Sequence, residues 1–327
     1  MNKENYIKEL FVDVIGQDSS IRLLRSALEK ERISTAYLFS GPEGVGKKLT
    51  AMRFLECLIH INSKSKFIRK RLENRNHPDL MWIEPTYSYQ GNLIAKSNAN
   101  KEKRIFRTLP QIRLDQIKDL KKFLSGQPIE SKWAMVVIEN VEDINESAAN
   151  ALLKTLEEPN KGIFILTTER PELLLDTIRS RCQFINFHRL SHIELKEVFQ
   201  KKLSHINNNL DTGFKQKELL ELSNGSPGAI LKNIEIWEQI PHDLWPKLKS
   251  FPSDNPMDAL STAKDIIEAL DSQQQLWLIS WLQQYIWLKN NDVKAVKGLD
   301  KLRYHIKSFV NQRLAWEIAL LNLNKIN

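Results

Sequence analysis

With 327 residues and a formal net charge of +8, the chain has room for two or three domains and a proper core. Its composition is ordinary for a soluble globular protein; no run approaches the length of a membrane span, and the charged start MNKENYIKEL is no signal peptide, so no membrane association is expected. Two distant cysteines, Cys57 and Cys182, exclude a disulfide framework or a metal spacing and point to a reducing, cytoplasmic setting. The positive charge favours acidic partners such as DNA, although the excess is spread out rather than gathered on one segment.

Residues 11–17 read as a loop, and Ser20 to Leu28 as an amphipathic helix with Ile21, Leu24, Ala27 and Leu28 on its apolar face. Ala36 to Ser40 is a short apolar strand that runs directly into GPEGVGK, Gly41 to Lys47, and then into a helix carrying Leu49, Met52, Phe54, Leu55 and Leu58. Strand, glycine loop, lysine and helix is the context a phosphate-binding loop requires. Gly41, Gly44 and Gly46 let backbone N–H groups curl around phosphates, and Lys47 supplies a point charge. The bland alternative is a glycine-rich turn with a chance lysine. The next position departs from the motif: Lys48 stands where a hydroxyl would ligate Mg²⁺, and an ammonium is a poor substitute for a neutral oxygen ligand. The loop is expected to tolerate phosphate without organising the metal.

Residues 63–75 are strongly basic, and a solvated helix face is preferred to a phosphate contact. His77 precedes a proline in a turn and reads as structural, followed by a strand over Leu80 to Ile83. Thr86 to Thr108 reads as a mobile polar loop whose cations are solvated rather than bound to DNA. Ile112, Ile117, Leu120, Phe123 and Leu124 mark a helix that closes near Gly126.

Trp133 to Cys182 reads strand, helix, strand, helix, which is a βαβ unit and implies a parallel sheet. Asn145 is the expected N-cap and Pro159 the stop of its first helix. The strand over Val136 to Ile138 ends in Glu139-Asn140, where a hydrolysing P-loop enzyme would carry Asp-Glu. Glu139 is expected to retain some reach to a metal, whereas Asn140 is no general base. Thr167, Thr168 and Glu169 end the next strand, where a residue sensing the γ-phosphate is expected. Arg179 and Arg181 close the last helix, where an arginine ordinarily favours the helix C-terminus, or at a domain edge acts on a neighbour's nucleotide.

After Phe187 the pattern turns to short helices, about 194–203, 215–222 and 228–237, a small helical lid. Pro227-Gly228 stands where a nucleotide-sensing arginine would be expected. Prolines 241, 246, 252 and 256 punctuate a boundary, and helices over about 256–269, 272–289 and 300–324 follow. Their apolar stripes, among them Trp277, Trp281 and Tyr285, read as core, with some surface left for other subunits.

Gly41 to Lys47, His77 to Leu80, NALLKTLEEP (Asn150 to Pro159) and TIRSRC (Thr177 to Cys182) together resemble the clamp-loader branch of the AAA+ proteins, in particular its stator-type subunits from bacterial DNA polymerase III. The matching stretch runs over about 11–187, with the rest matching in pattern and order. The resemblance implies a RecA-like AAA+ P-loop domain with a parallel sheet (1–187), a helical lid (188–240) and an all-α collar domain for oligomerisation (241–327). It implies a hetero-pentamer with tau/gamma motor subunits and a delta subunit, which places a sliding clamp on primed DNA. Arg181 is then the arginine finger that reaches the ATP site of the adjacent motor subunit. ATP binding at Gly41, Gly44, Gly46 and Lys47 stays open, hydrolysis is not expected, and no zinc is expected, because only Cys57 stands near the position of a four-cysteine module found in the family. Two other classes remain: a working AAA+ ATPase that uses Glu139, and a stand-alone DNA-binding protein that uses the 63–75 cations.

Overall fold

The computed structural model describes residues 7, 9–60, 67–89, 92–101, 109–203, 213–251, 255–308 and 311–324. They divide into two compact units, 1–194 and 195–327.

The first unit is built on a five-stranded parallel sheet in the order β2-β5-β6-β1-β7, with β1 Ala36–Ser40, β2 Leu80–Ile83, β5 Ala134–Ile138, β6 Gly162–Thr168 and β7 Gln183–Asn186. β1, β5 and β6 are buried along their whole length, which is why they are continuous apolar runs rather than alternating ones. Alternate residues still separate the two faces. Tyr37, Phe39, Met135, Val137, Ile163 and Ile165 pack with Leu24 and Leu28 of α1 (Asp18–Glu29) and with Phe54 and Leu55 of α2 (Lys47–His60). Leu38, Val136, Ile138, Phe164 and Leu166 pack with Ile117 and Leu120 of the helix Leu114–Ser125, and with Ala148 and Leu152 of the helix Glu146–Glu157. Parallel connections bring the carboxyl ends of β1, β5 and β6 to one edge, the place where open α/β sheets form sites.

Four sequence expectations change here. Within 86–108, Thr86–Tyr89 (β3) and Asn92–Ala95 (β4) form an antiparallel hairpin, followed by the short helix Lys96–Lys101; residues 102–108 lie outside the described residues. TYSY and NLIA carry enough β-branched and aromatic side chains to pair across a two-residue gap. The basic segment, of which 63–66 lie outside the described residues, forms a short helix α3 (Ile68–Glu73) whose arginines are ion-paired rather than merely solvated. Arg69 meets Glu56 at 3.1 Å and Arg71 meets Glu130 at 2.6 Å. Finally, the last expected helix is two, Val293–Lys307 and Gln312–Asn324, and Pro246 sits inside a helix, Leu244–Lys249, in its first turn where its missing N–H is harmless.

Among the described residues, every named element of the second unit, from Leu195 onward, is a helix. Trp237 stacks on Trp245 with ring centroids 3.9 Å apart, and Trp281 meets Trp245 edge-on at 5.0 Å. Trp277 donates to Asn233 Oδ1 and Trp281 to Glu218 Oε2. The helices Pro227–Gln239 and Leu244–Lys249, which lie on either side of the boundary expected between lid (188–240) and collar (241–327), therefore share one aromatic core with the helix Ser272–Asn290.

The HPDL turn ties β2 into the sheet. His77 is buried and its Nδ1 accepts the Asp79 N–H. Burial, with Arg71 close by, holds the imidazole below its usual pKa. Asp79 accepts the N–H groups of Ile129, Glu130 and Ser131 at 2.6–2.7 Å, closing the loop that enters β5. Burial alone would raise its pKa; the three N–H bonds and Ser131 outweigh that and hold the carboxyl below its ordinary value. A carboxyl depressed in the fold stabilises above its ordinary pKa, and the contribution fades as pH falls through the folded-state value. Asp79→Ala is expected to cost about 1–3 kcal/mol at neutral pH by leaving buried donors unpaired. In denaturant titrations the variant should also lose less stability than the parent between neutral pH and about pH 3.

Candidate functional site

The site is assembled at the carboxyl edge of the sheet from the loop after β1, the ends of β5 and β6, and two side chains from the β2 side. Gly41, Gly44 and Gly46 all take positive φ, +153°, +73° and +105°. At Gly41 the requirement is steric as well: a Cβ there would lie 2.3 Å from the Phe187 carbonyl oxygen. The loop feeds α2, whose first residue is Lys47. The Lys47 ammonium folds back on the loop and donates to the carbonyl oxygens of Gly41 and Pro42, the latter at 2.7 Å. Burial lowers its pKa, opposed by the carboxylates of Glu169, Glu142 and Glu43. Glu169 in turn is pushed up, first by burial and then by Glu43 and Glu142, with Lys47 opposing. The loop thus combines three positive-φ glycines with one cation turned onto its own carbonyls, and three carboxylates share the field of that cation. A triphosphate entering it meets repulsion from all three.

The metal half of the site is closed. Lys48 Nζ lies 3.1 Å from Glu139 Oε1. The same oxygen accepts Arg75 Nη2 at 3.0 Å and Trp82 Nε1 at 2.5 Å. Both cations also lie over the Trp82 ring, Lys48 at 5.1 Å and Arg75 at 4.8 Å from its centroid. Arg75 continues to Glu84 at 2.5 Å, and Glu84 accepts the backbone N–H and hydroxyl of Ser97. The reach of Glu139 to a metal, expected from its place at the end of β5, is therefore corrected: its carboxylate is already held by two cations and an indole. The side chains present do not fit Mg²⁺, because a divalent ion at this carboxylate must displace an ammonium and a guanidinium without a hydroxyl ligand opposite.

The remaining sensing positions are tied up locally. Asn140 takes φ +48° and donates its N–H to Thr167 Oγ1 at 3.2 Å. Thr168 Oγ1 accepts the Arg170 N–H, and Glu169 N–H goes to Glu142 Oε1. In the second unit, Ser226 caps the helix Pro227–Gln239 by accepting the Ala229 N–H, with Pro227 in its first turn.

Arg181 stands apart from this cluster. It follows the short helix Asp176–Arg179, and its side chain is 36% exposed. Nη1 donates to the Thr177 carbonyl at 2.9 Å and Nη2 to Glu157 Oε1 at 2.6 Å. Arg179 is committed locally, paired with Asp176 at 3.0 Å and lying over the Phe184 ring. Cys182 and Cys57 are buried thiols; burial raises both, Cys182 to about 11, so neither is a reactive thiolate at neutral pH. Sequence reasoning located Lys47, Lys48, Glu139 and Arg181 but missed Trp82, Arg75 and Glu84. A tryptophan on an edge strand and a basic segment with nearby acids were the available signals.

Comparison with known proteins agrees with this architecture. Residues 16–191 match the family model described as DNA polymerase III, delta subunit, and residues 194–323 match the C-terminal domain of cyanobacterial DNA polymerase III delta prime. DNA polymerase III subunit delta' of Bacillus subtilis is 30% identical over 243 residues, 68% of this chain and 65% of the relative. Subunit tau/gamma of Haemophilus influenzae is 30% identical over 230 residues, 70% of this chain but 30% of that longer protein. The matches thus span less than two thirds of these relatives' own lengths. Among solved structures, a gamma subunit-related protein from Thermotoga maritima superposes with a TM-score of 0.55 at 18% identity, covering 92% of this chain and 98% of that one, which supports the fold. With the model over 16–191 matching more than half of its length, the chain belongs to the family described as DNA polymerase III, delta subunit.

Proposed function

We propose that this chain is a non-catalytic, stator-type subunit of a DNA polymerase III clamp loader. It assembles with tau/gamma-type and delta subunits, and Arg181 completes a neighbour's ATP site while the complex loads a sliding clamp on primed DNA. The observation that carries the first half is the Lys48–Glu139 pair at 3.1 Å, a tethered cation where hydrolysis would need a metal. Asn140 stands in place of a general base at the end of β5 and Lys47 is turned onto its own loop, which supports a chain that does not hydrolyse ATP. The second half rests on Arg181, a partly exposed guanidinium with three of its five N–H donors beyond the two bonds it makes here. The chain works without structural zinc in this reading and needs no membrane.

The purified chain is expected to show no DNA-stimulated, Mg²⁺-dependent ATP hydrolysis. Turnover abolished by Lys47→Ala would replace the stator reading with an active ATPase. In a complex reconstituted with its cognate ATPase subunits, Arg181→Ala should leave assembly intact by gel filtration and lower turnover at the one affected site, by up to about 10³-fold on the arginine-finger scale. Unchanged turnover would remove the finger role.

A further inference from the structure

Glu157 is the last residue of the helix Glu146–Glu157, and the backbone leaves that helix at Glu158 just before Pro159. Its carboxylate therefore projects from a fixed helix end, 50% exposed, and meets Arg181 Nη2 at 2.6 Å. The second terminal nitrogen is fixed independently by the Thr177 carbonyl at 2.9 Å. One anchor comes from the helix that ends at Glu157, the other from the helix Asp176–Arg179, so both ends of the guanidinium fork are fixed by different elements. An unanchored arginine loses most of its side-chain entropy when it docks on a phosphate; one already held at two points loses less and meets its target in a narrower set of orientations. The remaining donors stay open to an incoming anion. Arg179, in the same segment, shows the contrast: its partner Asp176 lies on its own short helix, and its guanidinium lies against Phe184.

We propose that Glu157 is the positioning residue of Arg181: its carboxylate pre-orients the guanidinium for a phosphate group presented by a neighbouring subunit. This rests on the finger role of Arg181 given above, and the test separates the two. In the reconstituted complex, ATP turnover is measured for Glu157→Ala, Glu157→Gln, Arg181→Ala and the double variant Glu157→Ala/Arg181→Ala, with assembly followed by gel filtration. Glu157→Ala should lower kcat by about 2- to 5-fold, the scale of an exposed ion pair, with assembly unchanged. Glu157→Gln, which keeps an oxygen acceptor at the same place, should recover part of that loss. In the Arg181→Ala background the Glu157→Ala change should have no further effect, because the group it orients is gone. Turnover unchanged in Glu157→Ala overturns the proposal. Raised turnover overturns it too, because the carboxylate would then restrain the arginine instead of presenting it. A further loss in the double variant also overturns it by placing the action of Glu157 elsewhere. Full turnover in Arg181→Ala removes the finger role itself, whatever Glu157 does.

Discussion

Glu139 Oε1 accepts hydrogen bonds from Arg75 and Trp82 and is ion-paired with Lys48, and the arrangement of the site follows from that single oxygen. The two hydrogen bonds and the ion pair are unequal. Lys48 is 46% exposed, so its Coulomb attraction is largely screened and the pair adds little stability by itself. Arg75 is better enclosed and spans two carboxylates, Glu139 and Glu84, the second 10% exposed. Charge-assisted bonds from one planar fork to two acids are the strong interaction here. Arg75 holds this position at a backbone cost, with φ +55° on a non-glycine residue, on the order of 1 kcal/mol. That strain persists because the guanidinium is fixed by two acids and the Trp82 ring. The stabilising work thus falls to Arg75 and Trp82, while Lys48 adds a second positive charge beside the carboxylate at the end of β5.

The same interaction explains which parts of the molecule are legible in the chain itself. AYLFS, MVVI and IFIL are apolar runs that can only be buried strands, and the observed β1, β5 and β6 contain them. Asn145 was readable as an N-cap because its chemistry is local, and its side chain does accept the Ala148 N–H. Lys48 and Asn140 were readable because they break a motif of fixed spacing. The long-range pairs were not: Arg75 and Glu139 are 64 positions apart, and Arg71 and Glu130 are 59 apart. Those arginines looked like a solvated run because their partners are supplied by other elements. The hairpin of Thr86–Tyr89 and Asn92–Ala95 was hidden by the polar residues around it, and β7 by its short QFIN sequence, of which only Ile185 is buried.

Packing, rather than any metal, fixes the backbone shape of the glycine loop. Gly41 lies against Phe187, with no room for a Cβ, and its N–H goes to the Thr168 carbonyl. Gln17, 1% exposed, donates to the carbonyls of Val45 and His188 and accepts the His188 N–H, clamping the loop to the segment after β7. β7 pairs with β1 from Gln183, two residues beyond Arg181. The loop therefore braces the strand on which the arginine segment ends. A substitution that relaxed it would be felt at Phe187 and β7 whether or not a nucleotide ever entered, since a buried glutamine and a glycine contact transmit displacement through close packing. Lys48 and Asn140 lie outside these contacts: Lys48 pairs with Glu139 and Asn140 donates its N–H to Thr167 Oγ1. The packing that shapes the loop therefore does not depend on metal chemistry at Lys48 or Asn140, and in the proposed reading it also gives the Arg181 segment a rigid base.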